Sequence, residues 1–305
     1  MRAGDRAWKW RGKAALQKAL SSAPNGERWN YRLQRATGGL PLNDDKLRAA
    51  VAIAGLHVET YRRHGDGDLG SAHFFEFGAG WDLHIPVTHF AFGVKRQSVY
   101  DLNPHVKEDL VAEMPSRLAR MFDGAQRQRL ERVQLDSTSI EGVTRPFGIA
   151  YTAPGDARST SLADGSVDCV TSTSTLEHIP PADIAAILEE CRRILRPGGV
   201  CSFAIDYRDH FSYFDSSIGP YNFLRFSERA WHRYNSSLQF QNRLRHRDYI
   251  ELFERSGFAV VADVTDLPTE DERKRLDRLP LAPEFARRPT EDLEILGTHV
   301  ALVSD

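Results

Sequence analysis

Cysteine, methionine and long apolar runs are all scarce in this chain. It has three cysteines and three methionines in 305 residues. Cys169, Cys191 and Cys201 stand in apolar stretches without CxxC spacing. That pattern excludes a disulfide framework or a zinc site of the usual spacing, and leaves three small buried hydrophobes. No apolar run approaches the roughly 20 residues of a membrane span, and the charged N-terminus lacks the apolar segment of a secretory signal. The expected compartment is the cytoplasm. A formal net charge of -2 excludes broad, sequence-independent nucleic-acid binding, which needs a basic surface to displace phosphate counterions.

One stretch departs from this balance. From Met1 to Leu40, Arg2, Arg6, Lys9, Arg11, Lys13, Lys18, Arg28, Arg32 and Arg35 are opposed only by Asp5 and Glu27, and Trp8, Trp10 and Trp29 lie among them. Such an arm can touch an anionic membrane surface or an acidic partner. It can equally be a helical cover whose charges stay in water while its apolar stems pack. Residues 1–70 are read as a basic helical extension and 71–305 as the main domain, with an aromatic insertion near 207–246.

Short stretches rich in Val, Ile and Phe alternate with segments of helical period. This predicts an α/β fold, a doubly wound parallel sheet with helices on both faces. Seven strands are expected: His73 to Phe77, Ser98 to Leu102, Gly148 to Tyr151, Val167 to Thr171, Val200 to Asp206, Phe258 to Val264 and His299 to Val303. The clearest helix follows Pro180-Pro181, with Ile184, Ile187, Leu188, Cys191, Ile194 and Leu195 on one face and Pro197-Gly198-Gly199 as its stop. A second begins near His246 and ends at Gly257. The region from Leu110 to Gly142 reads as charged helical cover, and Asp266 to Glu294 as a surface crossing.

The first strand runs straight into Gly78-Ala79-Gly80-Trp81-Asp82. Glycines at such a turn adopt dihedrals closed to other residues and admit a ligand to the backbone. A dinucleotide turn of GxGxxG type would need a glycine at 83, where Leu83 stands, and the Tyr-x-x-x-Lys pair of many nicotinamide oxidoreductases is missing from its usual place. The next strand ends at Asp101, 21 residues beyond Gly80, where a ribose-binding acid belongs in a nucleotide fold.

The ordered series EFGAG, YDLN, GDARSTSLADGSVD, LEHI and RILRPGG resembles the class I S-adenosylmethionine-dependent methyltransferases over roughly Ala72 to Asp206. The resemblance implies a mostly parallel seven-stranded sheet whose last strand is antiparallel. The cofactor S-adenosyl-L-methionine would lie across its C-terminal strand ends and leave as S-adenosyl-L-homocysteine. It places Glu76 near the methionine amino group and the backbone of Gly78, Ala79 and Gly80 against the methionine half. Asp101 would hold the ribose, Leu102 would lie beside the adenine, and Asp156 and Ala157 would meet its amino edge. Ser172 to Thr175 would lie near the sulfonium. The departure is Asp82, where many relatives carry a further glycine.

Methyl transfer needs in-line alignment above all, and a hydroxyl acceptor also wants a base or a metal. His210 is the first candidate base and His178 the second, with Asp206, Asp209 and Glu177 close in sequence. Asp206, Asp209 and His210 could alternatively hold a divalent ion, although the spacing alone does not establish a metal site. The aromatic insertion and the segment Gln239 to His246, with Arg243 and Arg245, suit either a sugar ring with an anionic tail or a packed lid. DYRDHFSYFD, YNFLRFSERAW and QNRLRHRDY are similar to methyltransferases of bacterial cell-surface polysaccharide synthesis. That likeness implies a sugar, glycan or glycolipid acceptor, with peripheral membrane contact through the basic arm. A small aromatic or amine metabolite, or a non-catalytic scaffold of the same fold, are the competing expectations.

Overall fold

A computed structural model describes residues 8–36 and 40–304. Arg2, Asp5 and Arg6 of the basic arm lie outside the described residues. The chain opens with helices α1 (Trp8–Ser21), α2 (Gly26–Ala36) and α3 (Asp44–His64), then β1 (His73–Phe77), α4 (His84–Phe92) and β2 (Arg96–Tyr100). Three helices follow, α5 (Glu108–Ala119), α6 (Gly124–Glu131) and α7 (Ile140–Thr144), before β3 (Ile149–Thr152), β4 (Val167–Thr173), α8 (Pro181–Ile194) and β5 (Leu195–Asp206). The last third holds α9 (Glu228–Trp231), α10 (His246–Arg255), β6 (Phe258–Asp266), α11 (Glu270–Asp277), α12 (Pro283–Ala286), α13 (Thr290–Leu293) and β7 (Gly297–Ser304).

All seven expected strands form one sheet in the order β3-β2-β1-β4-β5-β7-β6. The pairs β1/β2, β1/β4, β2/β3 and β4/β5 are parallel, and β7 is antiparallel to both β5 and β6, as expected of the last strand. Because side chains alternate across a strand, Phe75, Phe77, Val170, Cys201 and Phe203 pack with α8 and α10 on one face. Phe74, Cys169 and Val200 pack with Val58 and Tyr61 of α3 on the other. Both faces are therefore dry, which is why β1 is buried at every position and reads as a continuous apolar run around Glu76. The three cysteines are free and buried, as expected. No helix among the described residues is long and apolar enough to cross a membrane.

Several sequence expectations need correction. The Pro197-Gly198-Gly199 run does not stop α8, which ends at Ile194 and turns directly into β5. Leu195 pairs with Val167 and Val200 with Cys169, so residues 196–199 bulge out of the ladder. Gly198 makes the bulge possible, because its φ is +75° and a Cβ there would lie 2.4 Å from Asp66 Oδ2. The segment from Asp266 to Glu294 does cross the surface, but it is anchored: Leu276, Ala282, Phe285 and Leu293 join Phe211, Tyr221, Phe223 and Trp231 in a second core beyond the sheet.

That second core also settles the aromatic insertion, which is a packed body. Arg243 and Arg245 are interior, and their terminal nitrogens are already engaged. Arg245 donates to the carbonyls of Tyr207 (2.7 Å), Leu293 (2.8 Å) and Ile295 (2.5 Å). Arg243 donates to those of Phe223 (3.0 Å) and Phe226 (2.5 Å) and pairs with Glu228. A guanidinium survives burial only with such acceptors, so neither side chain is spare for an anionic ligand.

The basic arm is not uniform. Trp10 is 1% exposed and packs on Phe211, Phe226 and Tyr234, so α1 is stapled to the second core, whereas Trp8 and Trp29 are 67% and 53% exposed. Trp10→Ala is expected to cost about 3–5 kcal/mol in urea unfolding. Trp8→Ala should change stability by less than about 0.5 kcal/mol.

Candidate active site

The strand order reverses direction of travel at β1/β4, so the loops leaving these two strands diverge and open a crevice at their C-terminal ends. Glu76, Gly78, Ala79, Gly80, Asp101, Ser172 and Thr175 all stand at those ends of β1, β2 and β4. Gly78 and Gly80 both have φ of +76°. A Cβ on Gly78 would lie 2.3 Å from Thr175 Cγ2, while one on Gly80 would meet nothing within 4 Å. The first glycine thus lets the β1 and β4 loops touch, and the second leaves bare backbone facing the crevice.

Asp82, the departure from the family pattern, locks this turn. Its carboxylate accepts from His84 Nδ1 at 2.6 Å and from the His84 backbone N–H at 3.3 Å. Burial works against its charge, but His84 outweighs it and holds the carboxyl below its usual range. A buried Asp–His pair therefore shapes this turn.

Two further buried carboxyls stand at the crevice. Glu76 is buried and accepts from the Thr171 hydroxyl at 3.2 Å, and burial pushes its pKa up to about 8. His89 lies 3.7 Å away, but burial holds its pKa near 3, so it stays neutral. Asp101 accepts from the Tyr151 hydroxyl at 3.0 Å and from the N–H groups of Ala79 and Gly80, and burial raises it to about 6. Both groups are desolvated acids waiting for a donor or a positive charge.

The remaining cofactor candidates divide. Leu102 is exposed just past β2, free to lie against a flat ring. Ala157 packs partly into the main core. Asp156 is engaged by Arg158, whose Nη2 lies 2.7 Å from it and whose hydrogen bonds hold that carboxyl low; Arg158 also reaches Asp183 at 2.7 Å. Ser172 donates to the Phe77 carbonyl at 3.3 Å and Thr175 to Gly78 at 3.2 Å, so these hydroxyls tie β4 to the turn.

The sequence reading missed Tyr31 and Tyr151. Tyr31 of α2 stacks on Trp81 with ring centroids 4.9 Å apart, and Lys107 lies over both rings. A cavity of about 490 Å³ opens there, lined by Arg28, Tyr31, Arg32, Trp81, His105 and Lys107 among others. The basic arm therefore ends at the lip of the glycine turn, a placement that no local sequence signal carries.

Across the crevice, the turn Leu176–His178 after β4 meets the loop after β5. The rings of His178 and His210 lie 4.7 Å apart, edge to face. His210 Nε2 is 3.1 Å from Asp206 Oδ2 and 3.9 Å from Glu177 Oε1. Asp206 is held by the Tyr213 hydroxyl at 2.5 Å and by Arg208; despite burial, His210 and Tyr213 keep its carboxyl below the usual range. Burial, then the charge of His210, pushes His178 down to about 4.

Asp209 is the correction in this group. Its carboxylate points inward and is consumed by the Phe211 N–H and the Asn222 amide, both at 2.9 Å. It anchors the loop that presents His210. The ion set Asp206, Asp209 and His210 is therefore not brought together. The donor atoms of Glu177, His178 and His210 are instead, all within 4.8 Å of one another.

Residues 122–203 match the family model described as a methyltransferase domain. A ubiquinone biosynthesis O-methyltransferase of Psychrobacter cryohalolentis is 40% identical over 70 residues, which is 23% of this chain and 26% of the relative. One of Xanthomonas oryzae pv. oryzae is 26% identical over 161 residues, covering 47% of this chain and 66% of the relative. The chain thus spans about a quarter of the length of the first curated relatives it matches. Among solved structures, a geranyl diphosphate C-methyltransferase of Streptomyces coelicolor A3(2) is 12% identical over 83% of this chain and 79% of its own, with a TM-score of 0.46.

Proposed function

We propose that this chain is an S-adenosylmethionine-dependent methyltransferase that methylates a hydroxyl oxygen of a small-molecule acceptor. The observation that carries the cofactor is the pair of buried carboxyls, Glu76 and Asp101, both pushed up by burial and flanking the bare backbone of Gly78 to Gly80 at the sheet reversal. Glu76 suits an ammonium, and Asp101 suits two ribose hydroxyls. The methyltransferase-domain match over 122–203 supports the same reading.

The acceptor's end of the crevice is the cluster of Glu177, His178, Asp206 and His210. The acceptor proton leaves toward the Asp206–His210 pair as the oxygen takes the methyl group and the carbon–sulfur bond breaks. An amine would need no such pair, and relatives named O-methyltransferases agree with oxygen. Within hydroxyl acceptors we infer a sugar or glycolipid, a reading that rests on the likeness of DYRDHFSYFD and its companion segments. The exposed Tyr213 and Phe214 offer it ring faces beside the pair. A phenolic acceptor is the second reading, favoured by the relatives' ubiquinone pathway. Cytoplasmic residence with peripheral membrane contact completes the proposal, Trp8 and Trp29 being exposed among the arm's lysines and arginines.

Calorimetric titration should show binding of S-adenosylmethionine and S-adenosylhomocysteine but not of NAD, and Asp101→Ala should weaken it by tenfold or more. The ribose hydroxyls need an ionised Asp101, so affinity should fall as pH drops through about 6, approaching tenfold per unit. Asp101→Ala should lose that dependence. No binding of either sulfur ligand would end the methyltransferase reading.

His210→Ala should reduce turnover by roughly 10²–10⁴ with cofactor affinity within about twofold, tested with saccharide and phenolic acceptors in parallel. Unchanged turnover would remove the pair from the reaction. Cosedimentation with anionic phosphatidylglycerol vesicles should be strong for the parent chain and weak for a Trp8→Ala/Trp29→Ala double variant. Equal recovery of both would dismiss the membrane contact.

A further inference from the structure

Glu177 has nothing to hold. It is 3% exposed, and neither carboxylate oxygen has a hydrogen-bond partner among the described residues. Its backbone is engaged instead, accepting from the Asn242 N–H at 2.9 Å. A buried carboxylate left so must be neutralised by a proton or by a cation. His210 Nε2 is 3.9 Å away, beyond hydrogen-bond reach. That nitrogen is itself buried without a hydrogen bond, although Asp206 Oδ2 is 3.1 Å from it. The Glu177 carboxylate and this nitrogen thus face a common gap without bonding to each other.

His178 completes the ring. Its Nδ1 donates to the Phe240 carbonyl at 2.5 Å, which fixes the tautomer and leaves Nε2 as a lone pair. A backbone carbonyl holding the far nitrogen is the usual outer support of a metal-binding imidazole. The donor atoms of Glu177, His178 and His210 lie within 4.8 Å of one another. Ligands of a tetrahedral ion with bonds near 2.1 Å stand about 3.4 Å apart, so modest side-chain rotation closes the set. Two imidazoles and a carboxylate suit zinc, manganese or another first-row divalent ion better than magnesium or calcium, which prefer all-oxygen shells.

We propose that Glu177, His178 and His210 bind one divalent transition-metal ion, with the Asp206 carboxylate on its open side. The site stands on its own geometry, but its role rests on the methyl-transfer reading. An ion there acidifies the acceptor hydroxyl. His210 then serves as ligand and Asp206 takes the proton, while the oxygen bonds to the methyl carbon and the carbon–sulfur bond breaks to leave a neutral thioether.

The test uses the full chain, stripped with chelator, dialysed, and titrated with Zn²⁺, Mn²⁺ and Mg²⁺, with metal content read by plasma mass spectrometry. One Zn²⁺ or Mn²⁺ per chain is expected, with Mg²⁺ at least tenfold weaker. Binding should weaken a hundredfold or more in Glu177→Gln and in His178→Ala and stay unchanged in His232→Ala, a change at an exposed position. Metal-free Glu177→Gln should melt no lower than the parent, since it removes an uncompensated charge, and Zn²⁺ should raise the Tm of the parent alone. Absence of Zn²⁺ and Mn²⁺ binding in the parent, or binding and Tm shifts equal in both ligand variants, would overturn the site. If the ion binds but S-adenosylmethionine does not, the functional reading falls and the metal site stands; the opposite pair of results has the opposite meaning.

Discussion

The reversal of strand order between β1 and β4 is the constraint on which the rest of the molecule depends. Two parallel neighbours whose onward connections go to opposite sides of the sheet cannot fill the space between their ends with their own loops. The crevice is therefore a product of topology, and the side chains at its rim are chosen afterwards. Gly78 lets the two loops meet through Thr175, and the ion pair of Asp82 and His84 fixes the turn that follows. Everything farther out, including the stack of Tyr31 on Trp81, closes over a gap that the sheet had already made.

Acidic side chains at this gap share one peculiarity. Glu76, Asp101 and Glu177 are all buried with fewer donors than a carboxylate can accept, and burial raises all three. Asp206, held by His210, Tyr213 and Arg208, is kept low instead, whereas Asp209 is raised by burial like the three despite its two donors. Buried polar groups in stable folds are normally paired, so Glu177, with no hydrogen bond to either oxygen among the described residues, is the outlier of these acids.

The strands and their order were legible because a sheet covered on both faces leaves a plain signature, apolar runs such as HFFEF broken by helical segments. Asp101 was legible because its position depends only on the length of one β-α-β unit. What could not be read were contacts that close over long separations. Nothing near Arg245 tells that its guanidinium will gather carbonyls from Tyr207, Leu293 and Ile295, so it looked like a ligand for an anion. Asp209 and Asp206 stand three residues apart in one acidic loop, and only the turn at His210 sends one carboxylate inward and the other toward the crevice. The Pro-Gly-Gly run after α8 looked like a stop because such residues usually are one, and the bulge that absorbs it depends on pairing with β4.

The insertion of Trp10 into the second core has a consequence for the order in which the molecule can be made. The core it enters also holds Phe285, Leu293 and Leu296, some 280 residues later in the chain. At ribosomal speeds of about 5–20 residues per second, α1 waits roughly 15 to 60 s before its partners leave the exit tunnel. During that interval an apolar, positively charged helix is in solution with no place to dock. Helix α1 is thus among the last elements to settle, although it is made before every aromatic ring it packs on.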